Sequence, residues 1–177
     1  MTSDTQDRQS SHGLRPLRHV YTANDMLSRK AIFTQSRPGT QTTYSEGKMA
    51  VDTIYGASPI DQLPNFNETD DTTPAACSAL GAGSSRPGGT VCRVVDFAPL
   101  YECAMQRGQN LDYAVVVEGS IVLTLDSGQE TMLERGDVAV QRAATHSWRN
   151  PSETEWARVF FVLQDCASAK PGNTRWT

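Results

Sequence analysis

The stretch MQRGQNLDYAVVVEGSIVLTLDSGQETMLERGDVAVQRAATHSWRN, residues 105–150, decides the fold. It breaks into short apolar runs, LDYAVVV, SIVLTLD, ETMLE, DVAVQ and HSWRN, separated by turn chemistry. EGS at 118–120, DSGQ at 126–129 and RGD at 135–137 put glycine where tight connections need positive φ. Within SIVLTLD, Ile121, Leu123 and Leu125 alternate with Val122, Thr124 and Asp126, the period of a strand with one face more buried than the other. Two similar runs flank the stretch, TVCRVVDFAP before it and EWARVFFVL after it, and no amphipathic helix pattern intervenes. Many short strands with glycine turns predict an all-β chain, an antiparallel sandwich or barrel over residues 89–164.

The flanks differ in texture. Residues 1–14 are polar and are expected to form a disordered tail, because they bury too little apolar surface to offset their ordering entropy. Residues 15–88 hold strand signals in RHVYTANDMLSRKAIF and KMAVDTIYGA. Then comes SPIDQLPNFNETDDTTPAACSALGAGSSRPGG, a long irregular loop rich in breakers, with Glu68, Asp70 and Asp71 grouped inside it. A loop of that length is unusual in a compact domain, and we expect it to pack on the barrel, as a pocket cover or as an arm on a partner subunit. The strands at about residues 18–34 and 48–56 are expected to add to a sheet edge and help form a homodimer. Residues 165–177 read as a C-terminal tail.

Composition narrows the function. The chain has 177 residues, 38% hydrophobic and 20% charged, which suits one domain. Its formal charge of −4 carries no basic run, so nucleic acid is not an expected partner. The N-terminus has no apolar secretory stretch and VFFVL is too short to span a bilayer, so a cytoplasmic protein with no membrane contact is expected. Cys77, Cys92, Cys103 and Cys166 lack paired spacing, and buried free thiols are expected.

Residues 105–150 resemble the two motifs of the cupin superfamily with their intermotif segment, and the likeness covers roughly residues 89–164. In that family the first motif supplies two histidines and a glutamate before a glycine turn, and the second supplies a third histidine followed four residues later by asparagine. Aligned on Gly119, Gln106 and Gly108 stand at the two histidine positions and Asp112 at the glutamate. His146, followed by Asn150, takes the third. The Gly136–Asp137 turn opens the second motif, the spacer to His146 is one residue short, and Ala143 stands where glycine is commoner. LDYAVVVEGS and GDVAVQRAATHSWRNPSETEWARVFFVL are also similar to small single-domain cupins of fungal polyketide gene clusters. That resemblance implies a cupin-type antiparallel jelly-roll β-barrel, and often a homodimer.

The resemblance also implies a lumen site. A transition-metal site of the family's type needs several histidines, and here Asp112 and His146 are the only strong donors, so we expect no metal and no cofactor, with a weakly held divalent ion as the alternative. A carboxylate and an imidazole sharing an apolar lumen make an acid–base pair: desolvation raises the Asp pKa and lowers the His pKa, while mutual attraction opposes both. His146 and Asp112 are therefore the candidate catalytic residues. Gln106 is a candidate for holding a substrate carbonyl or hydroxyl, and Trp148 for an apolar wall. Arg93 is a candidate for meeting an anionic substrate, although strand alternation leaves inward and outward orientations equally open. Tyr101 and Tyr113 are weaker candidates.

The expected function is a metal-independent lyase or isomerase of secondary metabolism. It would catalyse dehydration, decarboxylation or double-bond migration in a polyketide-like carbonyl compound. Two alternatives stand beside it: a metal-dependent cupin dioxygenase or other oxidoreductase, and a barrel that binds a small ligand without catalysis.

Overall fold

Each apolar run between glycine turns becomes a strand. The computed structural model describes residues 13–57 and 88–166, which form twelve strands. The tail through residue 12 with His12, the loop 58–87 with Glu68, Asp70, Asp71 and Cys77, and residues 167–177 lie outside the described residues. The described strands are β1 (Arg18–Asn24), β2 (Ala31–Pro38), β3 (Thr42–Tyr44), β4 (Met49–Ala57), β5 (Thr90–Phe97), β6 (Gln106–Arg107), β7 (Asn110–Glu118), β8 (Ser120–Leu125), β9 (Glu130–Glu134), β10 (Val138–Arg142), β11 (Thr145–Arg149) and β12 (Ala157–Asp165). All pair antiparallel. No helix of the described residues is long and apolar enough to cross a membrane.

Two sheets enclose the core. One has six strands in the order β10-β7-β12-β5-β4-β3, the other four in the order β6-β11-β8-β9. Consecutive strands are repeatedly split between neighbours from elsewhere in the chain, the jelly-roll arrangement that the sequence predicted. Val95, Phe97, Ala114, Val116, Val159, Phe161 and Leu163 from the larger sheet meet Ile121, Leu123 and Trp148 from the smaller in one apolar cluster. Gly119 makes the turn between β7 and β8 with φ of 73°, and a Cβ there would lie 3.1 Å from Ala157 Cα, so only glycine fits without a shift.

Strands β3 and β4 extend the six-stranded sheet beyond the run that begins at residue 89, through the β4–β5 ladder. Strands β1 and β2 do otherwise. They pair with each other as a separate two-stranded sheet rather than lengthening a barrel edge. The physical reason is the polar content of the inward face of β1: His19 is 4% exposed and its Nε2 lies 3.1 Å from Asp52 Oδ2, while the Tyr21 hydroxyl donates to the Ile54 carbonyl at 2.8 Å. These side-chain contacts lay the hairpin on β4 face to face. Ile54 sits at a register shift in the β4–β5 ladder.

The outer face of the central strands also holds a buried ion pair. Arg158 Nε donates to Asp96 Oδ1 at 2.6 Å and Nη2 to Oδ2 at 2.7 Å, while Nη1 donates to the Arg15 carbonyl at 2.6 Å. The guanidinium thus ties β12 to β5 and to the chain ahead of β1. Removing one member of such a pair strands the other charge, and Asp96→Ala is expected to cost about 3–5 kcal/mol. The double variant Asp96→Ala/Arg158→Met should recover much of that loss, as measured by urea unfolding; equal loss in both would show that the charges are not coupled.

Candidate functional site

Strand parity decides which side chains reach the interior. On β5, Arg93, Val95 and Phe97 point to the lumen while Val94 and Asp96 point out; on β7, Asp112 points in. Tyr113 is its neighbour on the opposite face and is 40% exposed, so alternation removes it from the site. The lumen holds a cavity of about 720 Å³, within the usual range of small-molecule pockets, roughly 300–1,000 Å³. Arg93, Tyr101, Gln106, Asp112, His146 and Trp148 all line it. Gln106 is at its exposed rim, where β6 pairs with His146 of β11.

His146 has a defined orientation. Its Nδ1 lies 2.9 Å from the Ala144 carbonyl, which can only accept, so Nδ1–H donates to it and Nε2 is the ring nitrogen left for another partner. The ring meets Trp148 edge to face, with centroids 5.7 Å apart at 81°, and Trp148 in turn meets Phe161 at 5.5 Å. Trp148 therefore walls the cavity and also holds the imidazole. Tyr101 stacks near Phe97, and its hydroxyl is 2.8 Å from Ser45 Oγ in the turn between β3 and β4.

Asp112 is 8% exposed. Burial raises its pKa above the ordinary carboxylate value, while the charges of His146 and Arg93 pull the other way without cancelling the effect. Its Oδ1 has no hydrogen-bond partner among the described residues. Among the described residues no hydrogen bond joins Asp112 to His146. The Arg93 pKa is depressed by burial, with Asp112 and Tyr44 countering it, and among the described residues neither Nε nor Nη1 has a partner.

The sequence did not single out several lining residues. Tyr44, Ser45, Met49 and Val51 come from β3, β4 and their turn, Cys103 from ahead of β6, and Asn110 from the start of β7. Cys103 Sγ accepts the Trp148 amide at 3.2 Å, and burial raises its pKa, so the thiol packs rather than attacks. Cys92 is pushed up to about 11 by burial, with the same consequence. Asn150 is fully buried. Its Nδ2 donates to the carbonyls of Phe97 and Glu155 at 3.0 and 2.8 Å, and its Oδ1 accepts the Ser152 amide at 3.0 Å. It shapes the turn between β11 and β12 and does not face the cavity.

The donor set does not fit a divalent ion held by three or four protein ligands. No group of three His, Cys, Asp or Glu side chains converges among the described residues. At position 108 a Cβ would stand 2.9 Å from the Ala144 carbonyl oxygen, so a second imidazole there would require the backbone at 143–144 to move.

Comparison with known proteins places this geometry in context. No family model matches the chain. It is 33% identical to a cupin-domain-containing oxidoreductase of Aspergillus ruber over 159 residues, 86% of this chain and 73% of that protein. Another cupin-domain-containing oxidoreductase, from Neurospora crassa, matches at 33% over 158 residues, 86% of this chain and 76% of its own length. Phomopsin biosynthesis cluster protein C' of Diaporthe leptostromiformis is 46% identical over 114 residues, 64% of this chain, and the match spans only 57% of that protein. Among solved structures, the Cnp3 cupin domain of Schizosaccharomyces pombe aligns over 84% of this chain and 88% of its own, with a TM-score of 0.48 and 11% identity.

The electrostatics of Asp112 give a stability test. Because its folded pKa is raised, the native state favours the neutral acid, and wild-type stability is lost as pH rises through that raised pKa. Asp112→Asn mimics the neutral acid and lacks this loss. The Tm difference, variant minus wild type, should be more positive at pH 8 than at pH 4 in differential scanning calorimetry. A difference that shrinks with pH would show that Arg93 and His146 outweigh burial.

Proposed function

The chain belongs to the cupin-domain family, and from that premise we propose that it is a small-molecule enzyme of secondary metabolism working by metal-independent acid–base chemistry, as a lyase or isomerase. One observation carries the reading: His146, oriented by the bond from its Nδ1 to the Ala144 carbonyl, lines the same cavity as Asp112, whose carboxyl is pushed by burial toward its protonated form. A base and an acid of opposite readiness share one apolar cavity, the division of roles that proton transfer beside a carbonyl requires.

For a β-hydroxy carbonyl substrate the steps balance as follows. His146 Nε2 takes the proton from the carbon beside the carbonyl, and the C–H electron pair moves into the enolate. As the C=C bond forms, the β C–O bond breaks, and the Asp112 proton leaves with the hydroxyl as water. The proton on His146 then returns to the Asp112 carboxylate through solvent. Trp148, Phe161 and Phe97 supply the apolar wall against which a flat conjugated product packs. Double-bond migration uses the same base and acid with no leaving group, His146 taking a proton from one carbon and Asp112 giving one to another; in decarboxylation the C–C bond breaks, CO2 leaves, and Asp112 protonates the enolate that keeps the electron pair.

The second reading follows from the names of the relatives, which are called oxidoreductases. It would need donors beyond Asp112 and His146.

Turnover and metal dependence separate the two. We expect purified protein to dehydrate aromatic β-hydroxy ketones, followed by the absorbance of the conjugated enone, at a rate that a chelator leaves unchanged. His146→Ala should lower the rate by about 100-fold or more, and Asp112→Asn by a similar factor, with the native fold retained. The proposal fails if His146→Ala keeps most of the turnover. Loss of activity on chelation, with recovery on adding back one metal per chain, would overturn the metal-independent reading.

A further inference from the structure

Arg93 projects a guanidinium into the lumen from β5, next to the strands of Phe161 and Thr53, with which it is in register. Its Nε and Nη1 are both buried and neither meets an acceptor among the described residues. Asp112 is the charge that acts on it most strongly, and among the described residues no hydrogen bond joins the two. Buried donors left without acceptors are costly, since each unmade charged hydrogen bond costs more than a neutral one. The contrast with Arg158 is direct. That guanidinium, on the other face of the same sheet, spends Nε and Nη2 on Asp96 and Nη1 on a backbone carbonyl.

We propose that Arg93 is the anchor for a carboxylate on the substrate, so that the cavity takes a carboxylic acid with an apolar or aromatic body. Nε shares one edge of the guanidinium plane with Nη2 and Nη1 shares the other, and either edge has the geometry that receives both oxygens of a carboxylate side by side. Asp112 makes no hydrogen bond to Arg93 among the described residues, so it does not occupy those donors. The body of the acid meets Val95, Phe97, Trp148, Phe161 and Leu163, which line the rest of the cavity. Placing the acid there also sets its neighbouring carbons between Asp112 and His146, and in that respect the inference rests on the acid–base reading of the same site. An anion beside Arg93 offsets the cation's pull on Asp112 and favours its protonated form further, so binding should take up protons and weaken as pH rises.

The test reads binding, not turnover. Isothermal titration of wild-type protein with 3-phenylpropanoate and with 3-phenylpropanamide should show the acid binding about 10- to 100-fold tighter than the amide. Arg93→Met should abolish that preference and Arg93→Lys should keep part of it. Without ligand, Arg93→Met should melt at or above the wild-type temperature, because it removes unsatisfied donors while keeping the stem; with saturating acid only wild type should gain stability. His146→Ala should keep the preference for the acid, which separates this inference from the catalytic one: loss of the proposed chemistry leaves carboxylate binding standing, and the reverse also holds. The inference is overturned if the amide binds as well as the acid, if neither binds at millimolar concentration, if the preference survives in Arg93→Met, or if Arg93→Met loses stability in the absence of ligand.

Discussion

The Arg158–Asp96 ion pair is the interaction on which the placement of the rest depends. It sits on the outer face of the two central strands, β5 and β12, each nearly inaccessible at this point, and it is saturated. Because Arg158 also holds the Arg15 carbonyl, and because Gln41 donates to Asp96, the chain before β1 and the chain between β2 and β3 both fasten to the same spot. The outer face is thereby closed over by polar contacts and the hairpin. A buried pair of this kind adds little net stability over an apolar substitute, but it strongly disfavours arrangements that leave one charge alone. It fixes which face of β5 is out, and so sends Arg93, Val95 and Phe97 inward.

That parity was not readable from β5 itself. TVCRVVDF is apolar on both faces because both faces are covered, and a strand buried on two sides loses the alternation that would orient it. Only the position of Asp96 relative to a distant arginine settles the matter. For β7 the sequence said more: once Asp112 is assigned inward, Tyr113 is outward, and treating both as site candidates neglected a constraint already present in the register. The turns of the second half were legible for a simple reason. Gly119, Gly128 and Gly136 all adopt positive φ, and glycine is the residue that does so without strain.

The first half was harder to read because side-chain contacts, not ladders, organise it. The exposure of β1 alternates cleanly, and a strand was accordingly expected there. What β1 packs against is set by His19 reaching Asp52 and by Tyr21 reaching the Ile54 carbonyl, contacts spanning more than thirty positions that no local pattern announces. The same holds for the cavity mouth. Tyr44 and Ser45 enter it through a turn whose residues Ser45, Glu46 and Gly47 all have positive φ, a conformation that the sequence SEG signals only through its glycine.

The candidate site itself was legible as spacing, and its chemistry follows from one backbone corner that spacing does not reveal. Ala143 adopts φ of 54°, an uncommon conformation for a residue with a Cβ, and the chain turns there from β10 into β11. The turn delivers the Ala144 carbonyl to two donors. Gly108 N–H reaches it at 3.1 Å, and His146 Nδ1 reaches it at 2.9 Å. The first contact brings the backbone so close that a side chain at 108 has no room, which keeps a second imidazole out of the lumen. The second fixes the tautomer of the imidazole that is present. A single carbonyl therefore leaves no room for a side chain at 108 and orients the imidazole at 146, two consequences of the same turn.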